Sequence, residues 1–166
     1  MFADSTPTDF NSVAANEFAA RANGGVRFVT NSGTGAGVGL TSGDTSWNVL
    51  SAKSSKENFS AIDSVDVLEK VASLPVQRWN YTHQDDSIQH IGPFAEDFHA
   101  AFGLHGADNR TISSQDLDGV ALAAIQGLNM KLESDIAILL AQNAALAKRL
   151  NDLEASLAQV RTKPGD

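Results

Sequence analysis

From Gly119 to about Arg161 the chain has no proline and repeats apolar residues every seven positions, and no other stretch constrains the fold as strongly. Leu132, Leu139, Leu146, Leu153 and Val160 form one set. Ile136, Leu150 and Leu157 form a second set three residues earlier in their turns, and Asn129 and Asn143 share it. These sets are the d and a positions of a coiled coil. The pattern predicts one helix over 119–161, N-capped by Asp118, running roughly 60 Å at 1.5 Å per residue. On an isolated helix the seam of Leu132, Ile136, Leu139, Asn143, Leu146, Leu150, Leu153 and Leu157 would stay wet, so it calls for partner helices. Arg149 and Glu154, five apart at g and the following e position, suit ion pairs between parallel chains. Leucine at both seam positions does not select one oligomer number, and a buried Asn at a favours two strands. The periodicity specifies a coiled coil without specifying three chains. A long amphipathic helix packed on its own domain is the alternative.

The rest of the chain divides into three zones. Residues 1–50 are rich in Gly, Asn, Ser and Thr. Gly25 to Thr30 alternates apolar and polar residues as a half-buried strand does. Gly33 to Leu40 and Trp47 to Leu50 supply two more short candidates, too few and too glycine-rich to bury a core on one chain. Pairing with other copies would supply what is missing, so this zone reads as part of an interleaved β structure. Residues 51–62 are polar and read as a linker or surface loop. Residues 63–118 read as a small α+β domain. Asp63 or Ser64 caps a helix through Val65, Val67, Leu68, Val71 and Leu74, and Pro75 stops it. Val76 to Tyr81 and Ile88 to Pro93 are its strands. Phe94 to Phe102 is a second helix, with Phe94, Phe98, Ala101 and Phe102 on one face and Gly103 as its stop.

Composition removes several classes of function. With 166 residues there is room for one modest domain and its appendages, and an apolar fraction of 42% opposes wholesale disorder. A net charge of −8 and a scattered set of Lys and Arg argue against a nucleic-acid or anionic-membrane surface. Zero cysteines exclude disulfides and thiolate metal sites. No apolar run is long enough to span a bilayer. The Met1-Phe2-Ala3-Asp4 start lacks the regions of a secretory signal.

Motifs for small-molecule chemistry fare poorly. Gly33 to Gly39 contains Gly-x-Gly-x-Gly, but neither the following helix of a dinucleotide site nor the Gly-Lys-Ser/Thr of a phosphate loop is there. Turn packing is the better account of these glycines. Ser114 to Gly119 resembles the start of a calcium loop whose closing Glu would fall at Ile125, which cannot ligate. His83, His90, His99 and His105 have no helical i, i+4 spacing, so no metal site is expected. Sequons begin at Asn58, Asn80 and Asn109 and matter only in a eukaryotic secretory host. No cofactor is expected. Ser51 and Lys56 remain: a lysine of depressed pKa can act as base toward a serine hydroxyl. Their spacing alone carries no weight.

Residues 51–160 resemble the C-terminal intramolecular chaperone domain of phage tail fibres and tailspikes, the peptidase S74 family. The matching features, in order, are Lys56-Glu57-Asn58-Phe59 after a serine, Val67 to Val71, Leu74-Pro75-Val76, Trp79-Asn80-Tyr81, His90 to Phe98, and Asp118 to Leu128. Asn16 to Ala22 and Gly24 to Val29 resemble the β-rich shaft end that precedes such domains. The resemblance implies an interleaved homotrimer that templates the upstream fibre segment of its own chain and then cuts itself free near the domain start. It implies Ser51 as nucleophile and Lys56 as base, with Leu50 and Ala52 beside the cut. It also implies a phage tail fibre, phage-like particle or bacterial surface as destination, after synthesis in bacterial cytoplasm. The family motif has Asp after the serine and this chain has Ala52, a departure that bears directly on cleavage. The domains expected are therefore a shaft end at 1–50, an S74-like chaperone at 51–118, a trimerisation helix at 119–161 and a disordered tail at 162–166. A permanently attached, non-cleaving trimeric cap is the competing reading.

Overall fold

The computed structural model describes residues 2–33 and 35–162; apart from the helical backbone of Thr162, the 162–166 tail lies outside them. The chain forms two compact units, residues 1–60 and 61–166. It is an α+β protein of small sheets with a long C-terminal helix.

In the first unit, β1 (Phe2–Ala3) and β2 (Ala20–Arg21) pair in parallel. The Asp4 carboxylate ties this corner by accepting from the Asn23 N–H at 2.5 Å, the Thr6 N–H at 3.1 Å and Arg21 Nε at 3.2 Å. β3 (Val26–Val29), β4 (Gly37–Leu40) and β5 (Asn48–Val49) make an antiparallel sheet in that order. Register runs from Val26 opposite Leu40 to Val29 opposite Gly37. Gly37 sits at φ +142°, where a Cβ would stand 2.0 Å from the Phe28 carbonyl oxygen, so only glycine closes this pairing. The Phe28 and Trp47 rings meet at 5.7 Å yet stay about half exposed. No described residue of this unit is buried. Three short strands without a second layer have nothing to bury against.

The second unit is built on helix packing. α1 (Ser64–Ser73) starts where the Asp63 carboxylate accepts from the N–H groups of Val65 and Asp66, at 2.9 and 3.2 Å. It ends at Leu74, because the residue before Pro75 is driven to extended geometry. β6 (Gln77–Trp79) pairs antiparallel with β7 (His90–Gly92), Trp79 opposite His90. Both strands are shorter than the alternation predicts. Tyr81 and Gln84 explain the first: the Gln84 N–H donates to the Tyr81 carbonyl at 2.9 Å and Gln84 Oε1 accepts from the Tyr81 N–H at 3.1 Å, turning the chain out of the sheet. α2 (Ala95–Phe102) buries Phe98 against Phe102, ring centroids 4.9 Å apart, and stops at Gly103 in the left-handed region.

α3 (Ser114–Thr162) has 49 residues, about 74 Å of helix. It begins at Ser114, ahead of the expected Asp118 cap. The N–H groups of Asp116 and Leu117 both donate to the Ser113 carbonyl at 3.1 Å, so the first turn closes ahead of Asp118, which lies within the helix and does not cap it. Val120, Ala123, Ala124 and Gly127 form its i, i+3, i+4, i+7 face toward α1. Gly127 decides how closely the two helices meet. A Cβ there would lie 2.0 Å from the Ser64 carbonyl oxygen and 3.1 Å from Leu68 Cβ. Phe98, Ala123 and Ala124 are the buried hydrophobic residues among those described. The core of one copy is small.

Candidate functional site

Two features are positioned by these elements: a serine–lysine pair at the end of the first sheet and an apolar stripe along α3.

The pair is assembled by a single short turn. The Leu50 N–H donates to the Gly37 carbonyl at 3.1 Å, which holds Leu50 at the sheet edge. The chain leaves the sheet at Ser51 and enters a 3₁₀ turn over Lys53–Ser55. The Ser55 and Lys56 N–H groups donate to the carbonyls of Ala52 and Lys53, both at 3.1 Å. That reversal brings Lys56 Nζ to donate to Ser51 Oγ at 2.6 Å, close enough for proton transfer. Residues 51–62 form the exposed loop expected of them, with one 3₁₀ turn at Lys53–Ser55 inside it. Ala52 occupies its N-cap position, extended at φ −63° and ψ 140°, and contributes no side-chain cap. Ser51 and Lys56 are both exposed in one copy. A lysine acts as base only when neutral, and covering it from water favours that form.

The stripe runs the length of α3 beyond its contact with α1. Leu132, Ile136, Leu139, Leu146, Leu150, Leu153, Leu157 and Val160 are 46% to 72% exposed. Asn143 is exposed among them, and the Asn129 amide donates to Glu133 Oε1 at 2.9 Å. This helix therefore does not pack its stripe on its own domain. Ile88, Ile91, Leu122, Ile125 and Leu128 add further exposed apolar surface to the same unit. A monomeric soluble protein rarely leaves contiguous apolar surface of this extent in water.

Other chemistry finds little support. Among the described residues four carboxylates are held below the usual range, Asp4 by bonds across the β1–β2 corner and the other three by bonds within their own turns. The Asn23 backbone N–H and the Thr6 side chain bring Asp4 to about 2. The Thr41 N–H and the Asn48 amide lower Asp44, the Ser87 hydroxyl and N–H lower Asp85, and the Thr111 hydroxyl and Arg110 N–H lower Asp108. Such groups cap turns. No three His, Cys, Asp or Glu among the described residues converge on a metal position. Among the described residues no helix is long and apolar enough to cross a membrane. Two open grooves lie in the second unit. One of about 430 Å³ lies between α1 and the start of α3, lined by Ile62, Val67, Phe102, Leu104 and Val120. The other, about 640 Å³, is lined by Trp79, Tyr81, Phe94, Arg110 and Ile112. Trp79 Nε1 is, among the described residues, the buried side-chain polar atom without a partner. Neither groove was foreseen, since each is lined by residues far apart in sequence. The in-helix Gly127 was the one local sign of the α1–α3 approach.

Comparison with known proteins gives one match. Residues 51–107 fit the family model of peptidase S74, described as chaperone of endosialidase. Neither the curated proteins nor the solved structures compared with the chain show a match.

Proposed function

We propose that this chain, whose residues 51–107 match the chaperone-of-endosialidase family, is an intramolecular chaperone that joins three copies of itself and registers the β-rich segment ahead of it. One observation carries the reading: the α3 stripe from Leu132 to Val160 stays in water in a single copy. Three parallel copies would cover it as a coiled coil. The family match supports self-association with a fibre partner and placement on a phage tail. The physical gain is in assembly. A glycine-rich β structure has high contact order and loses chain entropy before its contacts form. Tethering the chains at one end brings their strands to effective concentrations of about millimolar.

Breaking the stripe tests this. Leu139→Asp with Leu146→Asp is expected to give monomers and, with them, to erase hydrogen-exchange protection of the β3–β5 amides. Protection that survives in the monomeric variant would refute the chaperone role.

Release by self-cleavage follows from the Ser51–Lys56 pair. Lys56 Nζ, once neutral, takes the Ser51 hydroxyl proton as Oγ attacks an adjacent backbone carbonyl. The amide bond breaks, the proton passes to the departing nitrogen, and water then hydrolyses the ester and restores the hydroxyl. In this reading the pair works only when assembly covers it. Ala52 favours the second reading, a permanent cap without chemistry. An aspartate at the N-cap position would accept from N–H groups of the 3₁₀ turn and hold the reversal that delivers Lys56. Ala52→Asp is therefore expected to speed cleavage, and Ser51→Ala in that background to abolish it. An uncut chain in the Ala52→Asp variant would leave the cap reading standing.

A further inference from the structure

We infer that Asn129 and Asn143 set the axial register of the coiled coil between copies of this chain, with Arg149 and Glu154 as a second register mark. The inference rests on the self-association proposed above and adds what fixes the height of one copy against another. A stripe of leucines alone is permissive, because sliding one helix by seven residues returns leucine to leucine. The two asparagines break that equivalence. They sit at a positions two heptads apart, with Ile136 between them. In register, Asn meets Asn at both heights. A slip of one heptad sets Asn129 against Ile136, Ile136 against Asn143 and Asn143 against Leu150. Each buried amide is then left facing a hydrocarbon, the arrangement that a polar a position penalises. A slip of two heptads restores one Asn layer, leaves the other Asn143 against Leu157 and forfeits two heptads of contact.

The amides are equipped for the task. The Asn129 Nδ2 group has two donors. One goes to Glu133 of the same helix at 2.9 Å, which leaves an N–H and the carbonyl oxygen for neighbouring copies.

The charges mark the same register. In register, Arg149 at g lies beside Glu154 at e of the neighbouring copy. A one-heptad slip replaces Glu154 by Ala147 in one direction and by Arg161 in the other, which removes the pair or opposes two cations. Both marks favour one height, and that height determines which upstream strands come side by side.

The absence of cysteine allows a clean test. Chains carrying Leu146→Cys and Leu153→Cys are co-expressed and equilibrated in a thiol–disulfide buffer. Cross-linked tryptic peptides 132–148 and 150–161 are then weighed. One heptad is about 10 Å of axial slip, beyond the ~7 Å Cα separation a disulfide spans. Like pairs are expected in the parent protein, with mixed pairs below about a tenth of the mixture, the one-unit cost in log terms of a register penalty near 1.4 kcal/mol. In the Asn129→Ile, Asn143→Ile background the mixed pair is expected to rise at least several-fold while native mass shows the oligomer intact. An even mixture in the parent, or no rise in the double variant, would overturn the register role and leave self-association standing. Monomers in the parent would overturn both. Should the cysteines weaken assembly, spin labels at the exposed Ser134→Cys give a second measurement. One distance population in the parent and several in the double variant support the proposal, and identical distributions contradict it.

Discussion

The close approach of α1 to α3 yields a prediction in which one substitution has opposite signs at two places on one helix. Gly119 and Gly127 both lie inside α3. An alanine in place of an interior helical glycine stabilises by about 1 kcal/mol through backbone entropy alone. At Gly119 nothing lies within 4 Å of the new Cβ, so Gly119→Ala is expected to realise that gain. At Gly127 the Cβ would stand 2.0 Å from the Ser64 carbonyl oxygen, and α1 would have to retreat by more than an ångström to reach ordinary contact. Overpacking of this kind costs about 1–3 kcal/mol. The obstacle is backbone, and Ser64 is fixed by the Asp63 cap, so the upper part of that range applies. Less the propensity gain, Gly127→Ala is expected to lose about 1–2 kcal/mol. Urea unfolding at fixed chain concentration, followed by far-ultraviolet circular dichroism, measures both. Equal shifts of the same sign would show that α1 does not sit on Gly127 as described.

Further expectations follow from single contacts. Asp63→Ala removes the acceptor for the Val65 and Asp66 N–H groups and should cost about 1 kcal/mol, with Asp63→Asn recovering most of it; the urea midpoint reads both. Lys70→Ala breaks an exposed pair with Asp66 at 2.8 Å and should move that midpoint by less than about 0.5 kcal/mol. The depressed Asp4 group stabilises the β1–β2 corner above the ordinary carboxylate range near 3.9, and this is lost as pH falls through about 2. The Asn23 amide resonance should therefore shift across that window and become pH-independent there in Asp4→Asn.

The heptads made α3 legible because a period sustained over many turns outweighs any single residue. Its start was misplaced because Gly119 reads as a boundary in sequence, whereas packing of Val120, Ala123, Ala124 and Gly127 on α1 carries the helix through it. The α1 limits were readable from Asp63 and Pro75, which act through their own backbone. The β1–β2 pairing was not, since two residues at each end of a long connection leave no periodic trace. The Ser51–Lys56 contact was equally silent in spacing. The Lys53–Ser55 turn that makes it contains no glycine or proline, and only the resemblance to peptidase S74 singled the pair out.

Native mass spectrometry of the intact chain at micromolar concentration, with sedimentation alongside, tests self-association most directly. A single species at three times 17.5 kDa is expected, falling to one copy when Leu139 and Leu146 become aspartate. A stable species of one copy in the unmodified chain would contradict it.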